Sequence, residues 1–432
     1  MKEMGIGLLG FGTVGAGVVE GLQRNGGLIE RRTGLRLVLK RIADLDVDRD
    51  RGVAVDRSLL TTDAMSVIDD PEVGIIVELI GGVDVAREFI LKSLERGKAV
   101  VTANKALLAE HGKELYRAAD AAGVDLYYEA SVGGGIPIIR ALREGLVANR
   151  IQSLYGILNG TCNYILTRME QEGLPFDRVL EEAQEAGYAE AEPGLDIDGL
   201  DTAHKAVVLA ALAYGQSFDM ADVSVEGIRE VESIDIGFAG DLGYRIKLLA
   251  ILKESEGQIE IRIHPTLVPR AHLLASVGGV FNAIMVHGDV AGDTLYHGRG
   301  AGREATASAV LGDIVDVARN IARGSPARVP AFVHDDQHGS LRRVEDVRSR
   351  YYLRLSLKDE PGMLAKVADI LGRHRISIAS VFQKEERTGE YVPVIILTHR
   401  AVEGNFRDAI KEIDALKEVG APTVRYRIED FD

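Results

Sequence analysis

The side chains best suited to acid–base chemistry are concentrated in residues 190–205. Asp201 and Lys205 are four residues apart in a pattern that predicts a helix over residues 199–214, so they share one face of it. The rest of that helix is Ala, Val and Leu, which indicates burial. A lysine on a buried helix needs a charged partner or a function. An exposed ion pair is the simpler interpretation of an isolated pair, but the nearby Glu190 and Asp196 and a glycine-rich motif upstream favour a functional site.

That glycine-rich motif follows an apolar strand predicted at residues 6–9 and precedes a helical pattern that runs to about residue 25. In the run Gly-Phe-Gly-Thr-Val-Gly, the first glycine makes the turn, the second lets the backbone approach a pyrophosphate, and the third packs helix on strand. The start of the helix supplies free amides for phosphate. The motif predicts a dinucleotide site with these contacts: Gly10, Phe11, Gly12, Thr13, Val14 and Gly15.

Strands and helices alternate through the first third of the chain, which predicts a Rossmann-type doubly wound parallel sheet. Further strands are predicted at residues 35–42, 73–79, 99–102 and 125–129, and helices at 84–95 and 112–122. The end of the second strand carries both Asp44, which suits the ribose of NAD, and Arg41, which suits the phosphate of NADP. The sequence therefore leaves the choice between NAD and NADP open.

Two more segments follow strands at the edge where open α/β sheets bind ligands. Lys105 follows the strand at residues 99–102, and we expect it to have a functional role rather than to be a surface lysine. Glu129 precedes three consecutive glycines whose carbonyls could bind a small cation together with the carboxylate. A flexible connection between strand and helix explains the second segment equally well.

The remaining chain predicts two more domains and a linker. We expect the dinucleotide domain to comprise residues 1–136 with the helix at about 303–323, and an α+β substrate-binding and dimerisation domain, mostly strands after residue 223, to comprise 137–302. Residues 324–349, with Pro326 and Pro330, resemble a linker in composition. Residues 350–432 have the order βαββαβ of a ferredoxin-like unit, including a second strand at 376–384.

Composition excludes several classes of protein. The net charge of −15 argues against a nucleic-acid binder, and no apolar run is long enough for a membrane span. Cys162 is the single cysteine, so a disulfide framework within the chain is excluded and a cysteine-based zinc site is implausible. The first residues lack the pattern of a signal peptide, and we expect a cytoplasmic protein.

Taken together, these motifs resemble the homoserine dehydrogenase family. The resemblance is carried by the glycine turn, Thr-Ala-Asn-Lys at residues 102–105, Asn-Gly-Thr-Cys-Asn-Tyr at 159–164, the Glu190 segment and the helix with Asp201 and Lys205, and it covers nearly all of residues 1–325. The tail, with Asp-Glu-Pro-Gly-Met-Leu at 359–364, resembles an ACT regulatory domain.

The resemblance implies reversible NAD(P)-dependent reduction of L-aspartate 4-semialdehyde to L-homoserine, a step of threonine, methionine and isoleucine synthesis. It implies that Lys205 donates the proton, that Lys105 shares the transfer or orients the substrate beside the nicotinamide, and that Asp201 positions Lys205. The implied binding residues fall into three groups: Glu190, Asp196 and Gly187 for substrate, Gly302 and Lys105 for cofactor, and Glu129 with carbonyls of Val132, Gly134 and Ile136 for sodium.

The resemblance also implies a homodimer or homotetramer and threonine as a feedback effector at the ACT domain. One departure concerns the cofactor: many relatives have an arginine just before the acid that ends the second strand, and Ala43 stands there in this chain, which makes NAD or dual use plausible. Two rival interpretations are a thiol-dependent semialdehyde dehydrogenase using Cys162 and an amino-acid sensor with a vestigial dinucleotide fold.

Overall fold

The structure is a computed structural model that describes residues 2–334, 340–383 and 390–431. Its strands are β1 (Lys2–Leu9), β2 (Leu35–Ala43), β3 (Leu60–Thr61), β4 (Ile75–Glu78), β5 (Ala99–Thr102), β6 (Leu126–Tyr127), β7 (Ile151–Ile157), β8 (Ser224–Val225), β9 (Tyr244–Ser255), β10 (Gln258–Pro269), β11 (Phe281–Gly288), β12 (Gly292–Arg299), β13 (Arg348–Lys358), β14 (Ile378–Gln383), β15 (Tyr391–Thr398), β16 (Ala401–Val402) and β17 (Val419–Ile428).

Its α-helices are α1 (Thr13–Thr33), α2 (Ala64–Ile68), α3 (Asp84–Glu95), α4 (Lys105–Ala122), α5 (Ile138–Arg140), α6 (Gly160–Glu172), α7 (Phe176–Glu185), α8 (Gly194–Ile197), α9 (Leu200–Tyr214), α10 (Ser233–Asp241), α11 (Arg303–Arg323), α12 (Met363–Arg373) and α13 (Glu403–Asp414). These elements form two compact units. The first contains Met1–Gly160, Asp201–Val223 and Val280–His338, and the second contains Thr161–Leu200, Ser224–Gly279 and Gly339–Asp432.

The first unit is built around a six-stranded parallel sheet in the order β3-β2-β1-β4-β5-β6. This order confirms the predicted Rossmann-type sheet. The strand order reverses between β1 and β4, and ligands of open α/β sheets bind at such a switch point. The unit also contains β7, β11 and β12, which pair in an antiparallel arrangement.

The core of the first unit includes the strands at the centre of the sheet and two long helices, α1 and α11. These helices approach closely because α1 carries glycines on the facing side: a Cβ on Gly21 would lie 2.5 Å from Cδ1 of Leu311. The packing brings α11, from the far end of the unit's sequence, onto the helix that follows the glycine turn.

The second unit contains a ferredoxin-like arrangement, β13-α12-β14-β15-α13-β17, with the short β16 before α13. Strand β13 pairs with β15 on one side and β17 on the other, both antiparallel, and an apolar core lies between this sheet and helices α12 and α13. The predicted βαββαβ order is confirmed. Strand β17 also pairs in parallel with β10, at Thr266 and Leu267.

Several predicted elements have different ends in the structure. Helix α4 begins at Lys105 rather than near residue 112, because Asn104 caps it by accepting a hydrogen bond from the amide of Leu107 at 3.1 Å. Helix α10 lies in a region predicted to be mostly strands. Residues 335–339 of the predicted linker and Lys384 of a predicted strand lie outside the described residues. Among the helices that are described, none is long and apolar enough to cross a membrane.

Candidate active site

An aspartate held between two lysines forms the centre of the candidate site in the first unit. On α9, the Nζ of Lys205 lies 2.7 Å from Oδ2 of Asp201. The Nζ of Lys105, the first residue of α4, lies 2.9 Å from the other oxygen, Oδ1. The structure therefore forms the pair indicated by the i,i+4 spacing, and it adds Lys105, which sequence spacing alone does not connect to this helix.

The three charges differ in their exposure. The side chains of Lys205 and Asp201 are each 10% exposed, whereas that of Lys105 is 39% exposed. Burial by itself raises the pKa of Asp201, but the two ammonium groups outweigh it and hold that pKa well below its ordinary value. The carboxylate is therefore ionised at neutral pH. One negative charge between two lysine side chains leaves an excess of positive charge, suited to an oxygen that gains negative charge.

Two groups from the end of β7 complete this cluster. Asn159 Nδ2 donates to Oδ2 of Asp201 at 2.9 Å, and Lys205 Nζ donates to the carbonyl of Leu158 at 2.8 Å. Within the part of the chain that the structure describes, no third acceptor contacts Lys205 Nζ, so one N–H remains for a substrate. Asn159 has no separate role in the sequence-based assignments. Its place just after β7, in the polar Asn-Gly-Thr turn, is the signal that could have identified it.

The glycine turn between β1 and α1 has the geometry that phosphate binding requires. Gly10 has φ +97°, and a Cβ there would lie 2.6 Å from the Leu79 carbonyl oxygen. A Cβ on Gly12 would meet nothing within 4 Å, whereas a Cβ on Gly15 would lie 2.2 Å from the Gly10 carbonyl oxygen. Gly12 caps α1 without a side-chain hydrogen bond, so the helix start faces open space with its amides.

The carboxylate of Asp44, just after β2, contacts two groups. Its Oδ2 accepts a hydrogen bond from the amide of Phe11 at 2.6 Å, and its Oδ1 lies 3.1 Å from Nη2 of Arg51. The Arg51 side chain is 14% exposed. Arg41, in contrast, pairs with Asp70 at 3.5 Å. The guanidinium that contacts the acid beside the glycine turn is therefore that of Arg51, which the sequence motifs do not indicate.

The second glycine-rich loop, before α11, lies against the loop that follows Glu129. A Cβ on Gly134 would be 2.6 Å from the carbonyl oxygen of Gly300, and the amide of Gly135 donates to the carbonyl of Arg299 at 3.1 Å. Gly302 itself has φ +116° and caps α11, with nothing within 4 Å of a Cβ placed there. It thus has an unobstructed surface, as a residue contacting a ligand needs.

Glu129 is buried and its carboxylate caps the start of α5. Its Oε1 accepts from the amide of Ile139 and its Oε2 from the amide of Arg140, each at 2.8 Å. A second buried carboxylate, Asp313, accepts from the Glu129 amide at 2.8 Å, and burial followed by the charge of Glu129 raises the pKa of Asp313 to about 8. In the described ranges, no group of three or more His, Cys, Asp or Glu side chains could hold a metal ion. Val132, Gly134 and Ile136 would contribute carbonyls instead, and all three residues are buried.

The residues predicted to bind substrate lie in the second unit, on the segment between α7 and α9. Gly187 adopts φ +73° at the end of α7, and Glu190 is exposed while Asp196 is half-buried. Thr161 fixes this segment to the start of α6, because its Oγ1 donates to the Tyr188 carbonyl at 2.7 Å. The Asn-Gly-Thr motif thus supports the acidic segment that follows it.

Cys162 has a structural contact rather than the setting of a nucleophile. Its side chain is fully buried and its Sγ donates to the carbonyl of Asp196 at 3.2 Å. A reactive thiol needs access to its substrate, and this side chain is fully buried. The geometry does not favour the thiol-dependent alternative.

Known proteins are similar to this chain over its whole length. The family model for homoserine dehydrogenase matches residues 137–315, that for its NAD-binding domain matches 10–129, and that for the ACT domain matches 351–416. Homoserine dehydrogenases of Pseudomonas aeruginosa and Neisseria gonorrhoeae are 46% and 43% identical, with 100% of this chain and 100% of each relative aligned.

Solved structures agree with the sequence matches. A homoserine dehydrogenase from Thiobacillus denitrificans superposes with a TM-score of 0.94 at 47% identity, covering 100% of this chain and 99% of that chain. A hyperthermophilic archaeal homoserine dehydrogenase in complex with NADPH has a TM-score of 0.63 at 27% identity, covering 73% of this chain and 98% of that one. This chain belongs to the homoserine dehydrogenase family of NAD(P)-dependent oxidoreductases and carries an ACT domain.

Proposed function

We propose that the Lys105–Asp201–Lys205 cluster is the acid–base centre for the reversible reduction of L-aspartate 4-semialdehyde to L-homoserine. The observation that carries this proposal is an ammonium group, Lys205, that is nearly buried, contacts a carboxylate at 2.7 Å and retains an N–H for a substrate. When bound, the nicotinamide supplies the hydride to the aldehyde carbon. By the family's role, this step belongs to threonine, methionine and isoleucine synthesis.

Lys205 acts on the oxygen of the aldehyde. As the carbonyl carbon accepts hydride, its oxygen becomes an alkoxide, which an ammonium in hydrogen-bond contact stabilises and protonates. Asp201 holds the Lys205 ammonium in place through their ion pair, and Asn159 holds the carboxylate from a third direction. Lys105 is more exposed and shares Asp201, so we assign it to orienting the substrate beside the cofactor. In the reverse direction, neutral Lys205 accepts the hydroxyl proton.

Glu190 is the residue that we assign to the substrate ammonium, with Asp196 and Gly187 shaping the same segment. The Glu190→Gln enzyme is expected to show a KM for the amino-acid substrate about 10- to 100-fold higher, because a hydrogen bond between charged groups contributes about 1.5–3 kcal/mol. Steady-state kinetics with a saturating cofactor measure this change. The matched control is Glu192→Gln, an exposed acid two positions away, which should leave KM unchanged. Equal KM values for the two variants would remove Glu190 from the substrate site.

Arg51 is the residue that we assign to cofactor choice. Its contact with Asp44 offsets the negative charge that would otherwise repel the 2′-phosphate of NADP, which supports use of both cofactors despite Ala43. NADPH binding by the archaeal relative is in line with this assignment.

The Arg51→Ala enzyme is expected to lose about 10- to 100-fold in kcat/KM with NADPH, with a smaller loss for NADH. The control is Arg41→Ala, which removes the guanidinium paired with Asp70. An unchanged ratio of the two kcat/KM values in Arg51→Ala would contradict the assignment.

A monovalent cation suits the buried Glu129 loop on electrostatic grounds. Burial raises the pKa of Glu129, and Asp313 places a second carboxyl group beside it, so a cation would offset a locally acidic and dehydrated environment. The carbonyls of Val132, Gly134 and Ile136 would complete an all-oxygen set, which hard cations prefer. A cation bound there would fix the loop after Glu129, which lies against Gly300.

The ACT domain is the proposed site of an amino-acid effector, for which threonine is our candidate. Within the second unit this domain is joined to β10 by strand pairing and by Arg427, which lies 2.9 Å from Glu226 and 2.7 Å from Glu403. Removing residues from about 345 onward would delete Arg427 and leave Glu226 and the paired edge of β10 without their partners, so inhibition by threonine is better tested on the full chain. A homodimer or homotetramer and a cytoplasmic location remain predictions from the family resemblance.

A further inference from the structure

Glu78, the last residue of β4, is a buried carboxylate to which neither the sequence patterns nor the proposed mechanism assigns a role. Its side chain is 0% exposed, and among the residues that the structure describes it has no basic partner within ion-pair distance. A carboxyl group in such surroundings costs free energy unless its oxygens are hydrogen-bonded. Burial raises the pKa of Glu78 to about 7.

The two oxygens of Glu78 hold the loops that follow β4 and β5. Oε1 accepts from the amide of Ile80 and Oε2 accepts from the hydroxyl of Thr102, each at 2.6 Å. The Thr102 oxygen in turn accepts from the amide of Asn104 at 3.0 Å. Asn104 is the cap of α4, and Lys105 is the first residue of that helix. A continuous hydrogen-bond chain therefore joins the carboxylate to the start of the helix that carries Lys105.

The other side of Glu78 is next to the glycine turn. Strands β1 and β4 pair, with Leu9 opposite Glu78, and the amide of Leu79 donates to the Leu9 carbonyl at 2.7 Å. The Leu79 carbonyl is the group that a Cβ on Gly10 would strike. Glu78 thus lies at the switch point of the sheet, between the turn proposed to bind pyrophosphate and the lysine proposed to orient substrate.

We propose that Glu78 is a positioning residue for the dehydrogenase reaction, which acts through the Thr102 hydroxyl to fix the start of α4 so that Lys105 meets Asp201. The inference rests on the role proposed above for Lys105. A packing role alone would not require two hydrogen bonds that join the loop after β4 to the end of β5. Correct placement matters because a shift of about 1 Å in a catalytic geometry can cost about 100-fold in rate.

The first test compares Thr102→Val with Thr102→Ser. Valine has the shape of threonine but no hydroxyl, so it breaks the hydrogen bonds that link Glu78 to Asn104. Serine keeps the hydroxyl and therefore keeps these hydrogen bonds. We expect kcat to fall about 10- to 100-fold in Thr102→Val, with the cofactor Kd little changed, and to recover in Thr102→Ser. The Ser93→Ala enzyme is the matched control, since it removes a buried hydroxyl that donates to the Phe89 carbonyl on α3. Loss of thermal stability with an unchanged kcat in Thr102→Val would overturn the proposal.

The second variant is Glu78→Gln, which keeps the shape of the side chain but points an amide N–H₂ toward Thr102. The amide then donates to the Thr102 hydroxyl, whose own proton loses its carboxylate acceptor. The hydroxyl can still accept from Asn104, but donation to Glu78 no longer fixes its orientation. We expect a reduced kcat of similar size to that of Thr102→Val. Equal kcat values for Glu78→Gln and the unmodified enzyme, measured on folded protein, would also overturn the proposal.

A double-mutant cycle separates this inference from the proposed function. If Thr102 acts through Lys105, then Thr102→Val should have almost no further effect on kcat in a Lys105→Ala background. If Lys105→Ala lowers kcat and Thr102→Val lowers it again by its full factor, the positioning role is wrong while the role of Lys105 stands. If Lys105→Ala leaves both kcat and KM unchanged, the role of Lys105 is wrong and the inference fails with it.

Discussion

The Lys205→Ala enzyme is expected to lose about 10²–10⁴-fold in kcat while cofactor binding stays nearly intact, because general acid–base catalysis contributes a factor of this size. Alanine removes the ammonium that meets the alkoxide, but Asp201 keeps partners in Lys105 and Asn159. Among the described residues, those proposed to bind the cofactor, in the glycine turn and at Asp44, make no contact with Lys205, so the cofactor Kd should not change. Steady-state rates and fluorescence titration with the reduced cofactor measure the two quantities separately.

The control for Lys205 is Lys113→Ala on the exposed face of α4, which should behave like the unmodified enzyme. Two results would contradict the role of Lys205. One is a kcat within a few-fold of the unmodified enzyme. The other is a lost cofactor affinity that accounts for the whole decrease in rate. The second result would place Lys205 in the cofactor site rather than at the reacting oxygen.

The Asp201→Asn enzyme is expected to lose both activity and stability. Removing one partner of a buried ion pair costs about 3–5 kcal/mol, because the remaining charge is left without compensation. Since Lys105 is 39% exposed and can be solvated, we expect a loss near the lower end of this range for the free energy of unfolding. The kcat should fall by about 10²-fold as Lys205 loses the carboxylate that holds its ammonium in place. Denaturant unfolding and steady-state rates measure the two effects.

Acidity should remove the difference in stability between Asp201→Asn and the unmodified enzyme. Because the folded-state pKa of Asp201 is lowered, its contribution is fully present above the unfolded-state pKa of about 3.9 and is lost as pH falls toward the folded-state value. The two unfolding free energies should therefore converge below about pH 4. A difference that persists unchanged at lower pH would show that packing, not charge, is responsible.

The matched control for Asp201 is Asp198→Asn, three positions earlier. Asp198 pairs with Arg229, but these side chains are 43% and 50% exposed. Exposed pairs of this kind contribute about 0–1 kcal/mol, so the variant should change the unfolding free energy little. Comparable losses of unfolding free energy in the two variants would mean that burial does not make the Asp201 ion pair more stabilising than an exposed pair.

The predicted elements were most accurate where one local rule governed them. The helix at Asp84–Glu95 and the strand at Ala99–Thr102 have the predicted ends. Helix α4 began earlier than predicted because Asn104, an N-cap that also donates to the Gly82 carbonyl, starts it. The capping bond itself is local, from the Leu107 amide, but hydrophobic periodicity alone does not report a capping residue.

The sequence by itself determined the parallel sheet, the glycine turn, the ACT domain and the pair on α9, because strand and helix periodicity, glycine spacing and i,i+4 geometry act over a few residues. Only the tertiary structure decided that Lys105 and Asn159 meet Asp201, that Arg51 contacts Asp44, and that Glu78 joins two loops. Each of these contacts connects residues far apart in the chain, and neighbouring strands of the sheet or the ends of separate helices bring them together. Burial, which raises the pKa of Glu78, likewise arises from packing that no single segment encodes.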